Sequence, residues 1–234
     1  MNKEENFHDE RILSEGEKNT ERVGFAYQPI EYARKEWIAS LKNLGKTLEI
    51  GVWKGDILFK VHEESESFTG IDLSREAIKL LEKETNSLKS AKIKLEHLDF
   101  FDLPEDKKFD SIIMSGVLHH LDLNKVIKKL ESILENKGKF YIWEPLPGPM
   151  LLRLFRFLTP NLRTDDEAPL SESFLEKLKN KFPSHKLNYC GSSIALTAPM
   201  ALIKVNKNLM FKLDKYLTKK NFFQPWVIYG FFSK

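Results

Sequence analysis

The stretch Leu48-Glu49-Ile50-Gly51-Val52-Trp53-Lys54-Gly55-Asp56 constrains this chain more than any other. It closes an apolar run, turns on two glycines and enters an amphipathic segment, the pattern of a strand-to-helix turn. Glycines at such a turn let the backbone approach a ligand closely, and the helix start offers free N–H donors. The spacing separates the nucleotide classes. A dinucleotide fingerprint of the GxGxxG type needs glycines where Trp53 and Asp56 stand, and a P-loop needs Gly-Lys-Ser/Thr. Neither is present. What remains is Glu49, then Gly51, then Gly55, and a carboxylate just before the turn suits a ligand with a cationic end.

Composition narrows the class further. With 234 residues the chain has room for one α/β core with a cap, and two full domains would be cramped. Its 37 basic and 34 acidic side chains leave a formal charge of +3, too little to require a nucleic-acid partner. The single cysteine, Cys190, excludes an internal disulfide, and no CxxC or HExxH spacing offers a zinc site. These features fit a cytoplasmic, metal-independent protein. The first twenty residues are too charged for a signal peptide, and no uncharged apolar run approaches the ~18 residues needed to span a bilayer.

The pattern along the chain predicts an α/β fold with a doubly wound, mostly parallel sheet. Strands are expected at 47–50, 67–71, 93–97, 111–115 and 139–143, with further strands at 187–190 and 226–232. Helices are expected at 30–44, stopped by Gly45, and at 56–63, 74–87, 123–135, 171–181 and 201–217, with Ser74 and Ser171 as N-caps and the Asn136-Lys137-Gly138 turn as a helix stop. The expected organisation is a single domain: an N-terminal helical cap (1–44), a cofactor-binding core (45–146), a lid insertion after strand five (147–184), and C-terminal strands and helix (185–234).

Two further carboxylates stand at strand ends. Asp72 follows Gly51 by about twenty residues, where an acid reaches the hydroxyls of a ribose held on the first turn. An N-terminal cap before Ser74 is the alternative role. Asp99, followed by Phe100 and Phe101, lies just beyond strand three, where a carboxylate accepts from an adenine amino group and an aromatic flanks the ring.

The order Glu49-x-Gly51, Asp72, Asp99, Phe109-Asp110, Gly138 resembles the class I S-adenosylmethionine-dependent methyltransferases over about residues 44 to 146. The resemblance implies a Rossmann-like, seven-stranded sheet whose last strand is antiparallel, and S-adenosylmethionine as cofactor. It assigns Glu49, Gly51, Val52, Trp53 and Gly55 to the methionine end, Asp72 with Leu73 to the ribose, and Asp99 with Phe100 to the adenine. Trp53 departs from the family's usual middle glycine. It is expected to be tolerated with its side chain turned from the ligand and a negative φ; the alternative is a closed cradle and a non-catalytic binding module.

Ser115-Gly116-Val117-Leu118-His119-His120 follows strand four and resembles the small-molecule branch of the same family. Ser115 joins the expected cofactor contacts, and His119 is the candidate catalytic residue, a base for a hydroxyl acceptor; a structural histidine pair is the alternative. Tyr27 and Tyr32, with Glu31 and Arg34, lie where this family often folds a helix over the cofactor. The segment Arg153 to Leu170 resembles a group of bacterial methyltransferases of poorly defined substrate. Within it, Arg153, Arg156 and Arg163 beside Leu151, Leu152, Leu154, Phe155 and Phe157 read either as an ordinary lid or as a peripheral membrane contact for a lipid or quinone-like acceptor. The expected activity is in-line methyl transfer to a small molecule, and the sequence sets no oligomeric state.

Overall fold

The computed structural model describes residue 9 and residues 24–88, 92–148, 169–193, 207–220 and 223–234. Seven strands form one sheet: β1 (Gly45–Ile50), β2 (Ser65–Asp72), β3 (Ile93–His97), β4 (Phe109–Ser115), β5 (Leu134–Pro145), β6 (Ser184–Cys190) and β7 (Val227–Ser233). Their spatial order is β3-β2-β1-β4-β5-β7-β6. β3, β2, β1, β4 and β5 pair in parallel, and β7 runs antiparallel to both β5 and β6. The expected doubly wound, seven-stranded sheet with an antiparallel last strand is therefore present.

Among the described residues six α-helices flank the strands: α1 (Gly24–Ala39), α2 (Leu58–Val61), α3 (Arg75–Asn86), α4 (Leu123–Ile133), α5 (Glu172–Lys181) and α6 (Lys207–Lys219). The central strands β4 and β5 are apolar on both faces because both are covered. On one face Ile112 and Met114 of β4 and Phe140 and Ile142 of β5 pack against Val126, Leu130 and Ile133 of α4 and Phe174, Leu175 and Leu178 of α5. On the other, Ile113, Tyr141 and Trp143 pack against Ala33, Trp37 and Ile38 of α1 and against Leu58 and Val61 of α2. Adjacent residues of β4 thus enter opposite cores, as the period of two requires.

Several expected boundaries move for identifiable reasons. α1 ends at Ala39, not at Leu44, and Gly45 begins β1 at φ +62° instead of capping the helix. Its missing side chain makes room for Asp110, whose Oδ2 accepts from Lys46 N–H at 2.8 Å; a Cβ on Gly45 would lie 2.6 Å from that oxygen. α4 ends at Ile133, and Lys137 at φ +69°, not Gly138, takes the left-handed step before the main run of β5. Gly138 is needed for clearance, since a Cβ there would meet Glu135 O at 2.9 Å. Where 56–63 reads as one helix, the chain makes a single turn of α2 and a 3-10 turn at His62–Glu64. The second half of the expected lid belongs to the core: Leu170, Phe174, Leu175, Leu178 and Phe182 are all buried in it. Residues 149–168, with the basic amphipathic segment, lie outside the described residues, as do 194–206 at the expected start of the last helix.

The clearance at Gly45 gives a direct test. Gly45→Ala combines a left-handed backbone with a clash against Asp110, and is expected to lower unfolding stability by about 1–3 kcal/mol in urea titration.

Candidate functional site

Strand order reverses at β1, which is flanked by β2 on one side and β4 on the other. Open α/β sheets hold ligands outside the carboxyl ends of the strands at such a point. Here a cavity of about 370 Å³ opens there, lined from the ends of β1 to β4 and from α1.

At the end of β1, Glu49 is 3% exposed. Its Oε2 is buried and has no hydrogen-bond partner. Burial, reinforced by Asp72 and Asp56, holds the Glu49 carboxyl well above its usual range, against the pull of Arg34 and the Leu58 N–H. An unpaired buried carboxylate is costly in a lone protein and favourable once a cation lies beside it.

The turn after β1 holds a conformation glycine would adopt freely: Gly51, Trp53 and Gly55 have φ of +74°, +46° and +77°. Trp53 thus departs from both conditions of its expectation, since its φ is positive and the residue lines the cavity. The left-handed backbone, strained for a residue with a Cβ, is held by Trp53 N–H donating to Asp72 Oδ2 at 2.8 Å. The two glycines serve packing within the protein. A Cβ on Gly51 would stand 2.5 Å from Val117 Cγ2, and one on Gly55 would stand 2.6 Å from the Phe59 ring.

Asp72 ends β2, and its two oxygens do different work. Oδ2 holds the turn through Trp53, and Oδ1 accepts from Ser74 N–H at 2.8 Å. Ser74 caps α3 by accepting from Ala77 N–H at 3.1 Å, and its hydroxyl reaches the Asp9 carboxylate. The alternative role read for Asp72 is thus real, and it coexists with a place on the cavity wall beside Leu73. After β3, Asp99 Oδ1 accepts from Phe101 N–H at 2.8 Å and caps a 3-10 turn. Phe100 lines the cavity with Asp99, while Phe101 packs on the core. The buried Lys129 of α4 ties down this loop from behind by donating to the carbonyls of Phe101 and Leu103.

The wall after β4 is held by a residue the sequence reading did not single out. Glu144, at the end of β5, is fully buried; its Oε1 accepts from Val117 N–H and Leu118 N–H at 2.8 and 2.9 Å. Its Oε2 lies 2.8 Å from His119 Nδ1. The available signal was the acid in Trp143-Glu144-Pro145, at a strand end like Glu49 and Asp72, but strand five was expected to stop at Trp143. His119 is 9% exposed and lines the cavity with His120, their rings 4.1 Å apart.

Of the four cap residues Tyr27, Glu31, Tyr32 and Arg34, only Arg34 is seen in the cavity lining. Tyr32 is 46% exposed and packs on Phe211 of α6, away from the cavity lining. The side chain of Tyr27 lies outside the described residues. Two residues beyond Tyr32, Arg34 does line the cavity: Nη1 donates to Ser115 Oγ at 2.7 Å, Nη2 lies 3.9 Å from Asp56, and the guanidinium stacks over Trp143. Burial lowers the Arg34 pKa against the opposing pull of Asp56 and Glu49.

A family model described as a methyltransferase domain matches residues 41–219. The chain belongs to that family. Two curated relatives of this methyltransferase carry the name uncharacterized methyltransferase. The one from Alkaliphilus oremlandii (strain OhILAs) is 32% identical over 109 residues, 43% of this chain and 46% of its own length. The one from Staphylococcus carnosus (strain TM300) is 28% identical over 105 residues, 44% and 48% of the two chains. The match thus spans about half the length of each relative. Among solved structures, the N-methyltransferase NodS from Bradyrhizobium japonicum WM9, in complex with S-adenosyl-L-homocysteine, is similar with a TM-score of 0.60 and 13% identity, covering 98% of this chain and 97% of that one. The geranyl diphosphate C-methyltransferase from Streptomyces coelicolor A3(2) gives 0.62 and 12%, covering 97% and 88%. At these identities the likeness establishes the class I fold.

Among the described residues, no helix is long and apolar enough to cross a membrane, and no group of three His, Cys, Asp or Glu side chains is placed to hold a metal.

Glu49 makes the methyltransferase sensitive to pH in a defined direction. Its raised pKa means that above the usual carboxyl value of 4.5 the unfolded chain has ionised while the folded one still holds its proton. Folding is therefore progressively penalised as pH rises from there toward Glu49's own midpoint. Without cofactor, the wild type is expected to lose urea stability with rising pH relative to Glu49→Gln, whose carboxamide does not titrate. Parallel pH curves for the two proteins would refute the assignment.

Proposed function

We propose that this methyltransferase moves the methyl group of S-adenosylmethionine to a small-molecule acceptor bound beside His119. The observation that carries the reading is the partnerless, buried Oε2 of Glu49 on a cavity shared with Asp72 and Asp99. A buried acid with one oxygen lacking a hydrogen-bond partner fits a ligand with a cationic methionine end, and acids at the next two strand ends fit a ribose and an adenine. The donor set therefore matches the cofactor named by the resemblance, which supplies an electrophilic methyl group when bound.

Each residue then has a task. Glu49 faces the cationic end, with Gly51, Val52, Trp53 and Gly55 shaping the turn around it. Arg34 and Ser115, joined by their hydrogen bond, form the wall best suited to a carboxylate. Asp72 takes the ribose hydroxyls with Leu73 alongside, and Asp99 accepts from the adenine amino group while Phe100 flanks the ring. His119 stands on the acceptor side. The protein's contribution is alignment and exclusion of water, because the leaving group is already activated. The proposed location is the cytoplasm, in keeping with a single thiol, Cys190, that burial pushes up and out of reactivity.

Calorimetry with S-adenosylhomocysteine tests the reading. Binding is expected in the wild type, and absence of binding at millimolar ligand would remove it. Asp72→Asn is expected to weaken that binding more than tenfold, since a ribose then loses a charged acceptor. Equal affinity would show that Asp72 serves the turn and the helix cap alone.

A further inference from the structure

We infer that Gly116 sets the size of the acceptor subsite: its missing side chain leaves the opening, beside His119, by which the acceptor reaches the methyl group. This rests on the methyl-transfer reading above and deepens it, by assigning a specificity-determining residue to the acceptor side.

Two glycines line the cavity, Gly51 and Gly116. Gly51 answers to the protein, since a Cβ there would stand 2.5 Å from Val117 Cγ2. Gly116 does not. Among the described residues, the nearest atom to a Cβ placed on it is His119 Cε1, at an ordinary contact distance of 4.0 Å. Its φ of +70° is left-handed, which costs a residue with a Cβ some strain. The same chain accepts that cost elsewhere: Lys137 holds φ +69° with a full side chain, and Asn43 stands at +53°. Neither packing nor the dihedral alone therefore reserves this position for glycine, and what remains is the space in front of it.

The wall around Gly116 is fixed on three sides. Its own N–H donates to Trp143 O at 2.8 Å. Arg34 donates to Ser115 Oγ at 2.7 Å on one side, and Val117 N–H donates to Glu144 Oε1 at 2.8 Å on the other. A backbone tied in this way yields little, so an added side chain would enter the cavity, and its nearest neighbour shows that it would enter toward His119. The lining residues that follow, Val117, His119, His120 and Leu121, include no carboxylate or ammonium group. Such walls suit an acceptor whose reacting end is uncharged and apolar or aromatic. In-line transfer points the group on sulfur at the acceptor, so anything larger than methyl on that atom enters the same space.

Aza analogues of S-adenosylmethionine probe that space without an acceptor: nitrogen replaces sulfur and carries either a methyl or a benzyl group, and neither group is transferred. In calorimetry the wild type is expected to bind the benzyl analogue within about tenfold of the methyl analogue, as an open apolar subsite requires. Gly116→Ala is expected to raise the preference for methyl over benzyl by a further factor of about ten, and Gly116→Asn, a residue type that enters the left-handed region more readily, by more. The preference is measured within each protein, so a strained wall that weakens every ligand alike leaves it unchanged. An unchanged preference in the variants overturns the inference. So does rejection of the benzyl analogue by the wild type beyond about tenfold, a measurement that needs neither variant to fold. Failure of the wild type to bind S-adenosylhomocysteine overturns the underlying methyl-transfer reading instead.

Discussion

Parallel pairing of β3, β2, β1 and β4 is the constraint on which the rest of this protein depends. The register that sets Glu49 against Gly70 and Asp72 against His97 brings the carboxyl ends of neighbouring strands to one edge of the sheet. Acids separated by more than twenty residues in sequence therefore share one cavity. β5 continues the row, which is why Glu144 stands behind the loop that follows β4. The acids of the cleft are side chains carried to that edge, and Arg34 joins them from α1.

Gathering carboxylates in a partly buried place is unfavourable unless each finds donors, and the cleft answers this with backbone N–H groups. Asp72 uses Trp53 and Ser74, Asp99 uses Phe101, and Glu144 uses Val117 and Leu118. Each bond also fixes a loop: the turn after β1, the 3-10 turn after β3 and the wall after β4. Electrostatic satisfaction and loop geometry are thus the same interactions. Glu49 is the exception, with one buried oxygen left without a hydrogen-bond partner, and the proposed methionine-end contact rests on that oxygen.

Much of this was legible in the residues. Five of the seven strands were placed within two residues of their ends, because buried strands read as apolar runs bounded by turn residues. The acids at 49, 72 and 99 announced themselves by falling just after such runs. What escaped had local causes. Gly45 looks like a helix stop by type but answers to Asp110, a contact across the fold that no local pattern carries, while at Gly138 the left-handed step falls one residue earlier, on Lys137, and the glycine clears the Glu135 carbonyl of the same turn. Arg34 escaped the cofactor set because neighbouring positions on one helix differ in direction, and a tyrosine draws attention that the packing gives to Phe211. Glu144 escaped because the apolar run was taken to end one residue too early.

Taken alone, the amino-acid sequence determined the α/β class, the order of strands and helices, the spacing of the glycine turn and the identity of the acids at three strand ends. Periodicity and turn chemistry are local, so a one-dimensional pattern carries them. Tertiary structure alone decided which atoms those acids hold. It set Trp53 on the cleft wall at a positive φ, kept Tyr32 out of the lining and brought Arg34 in, and tied His119 to an acid 25 residues away. These outcomes depend on strand register and on competition for buried hydrogen-bond partners, which exist only once both faces of the sheet are covered.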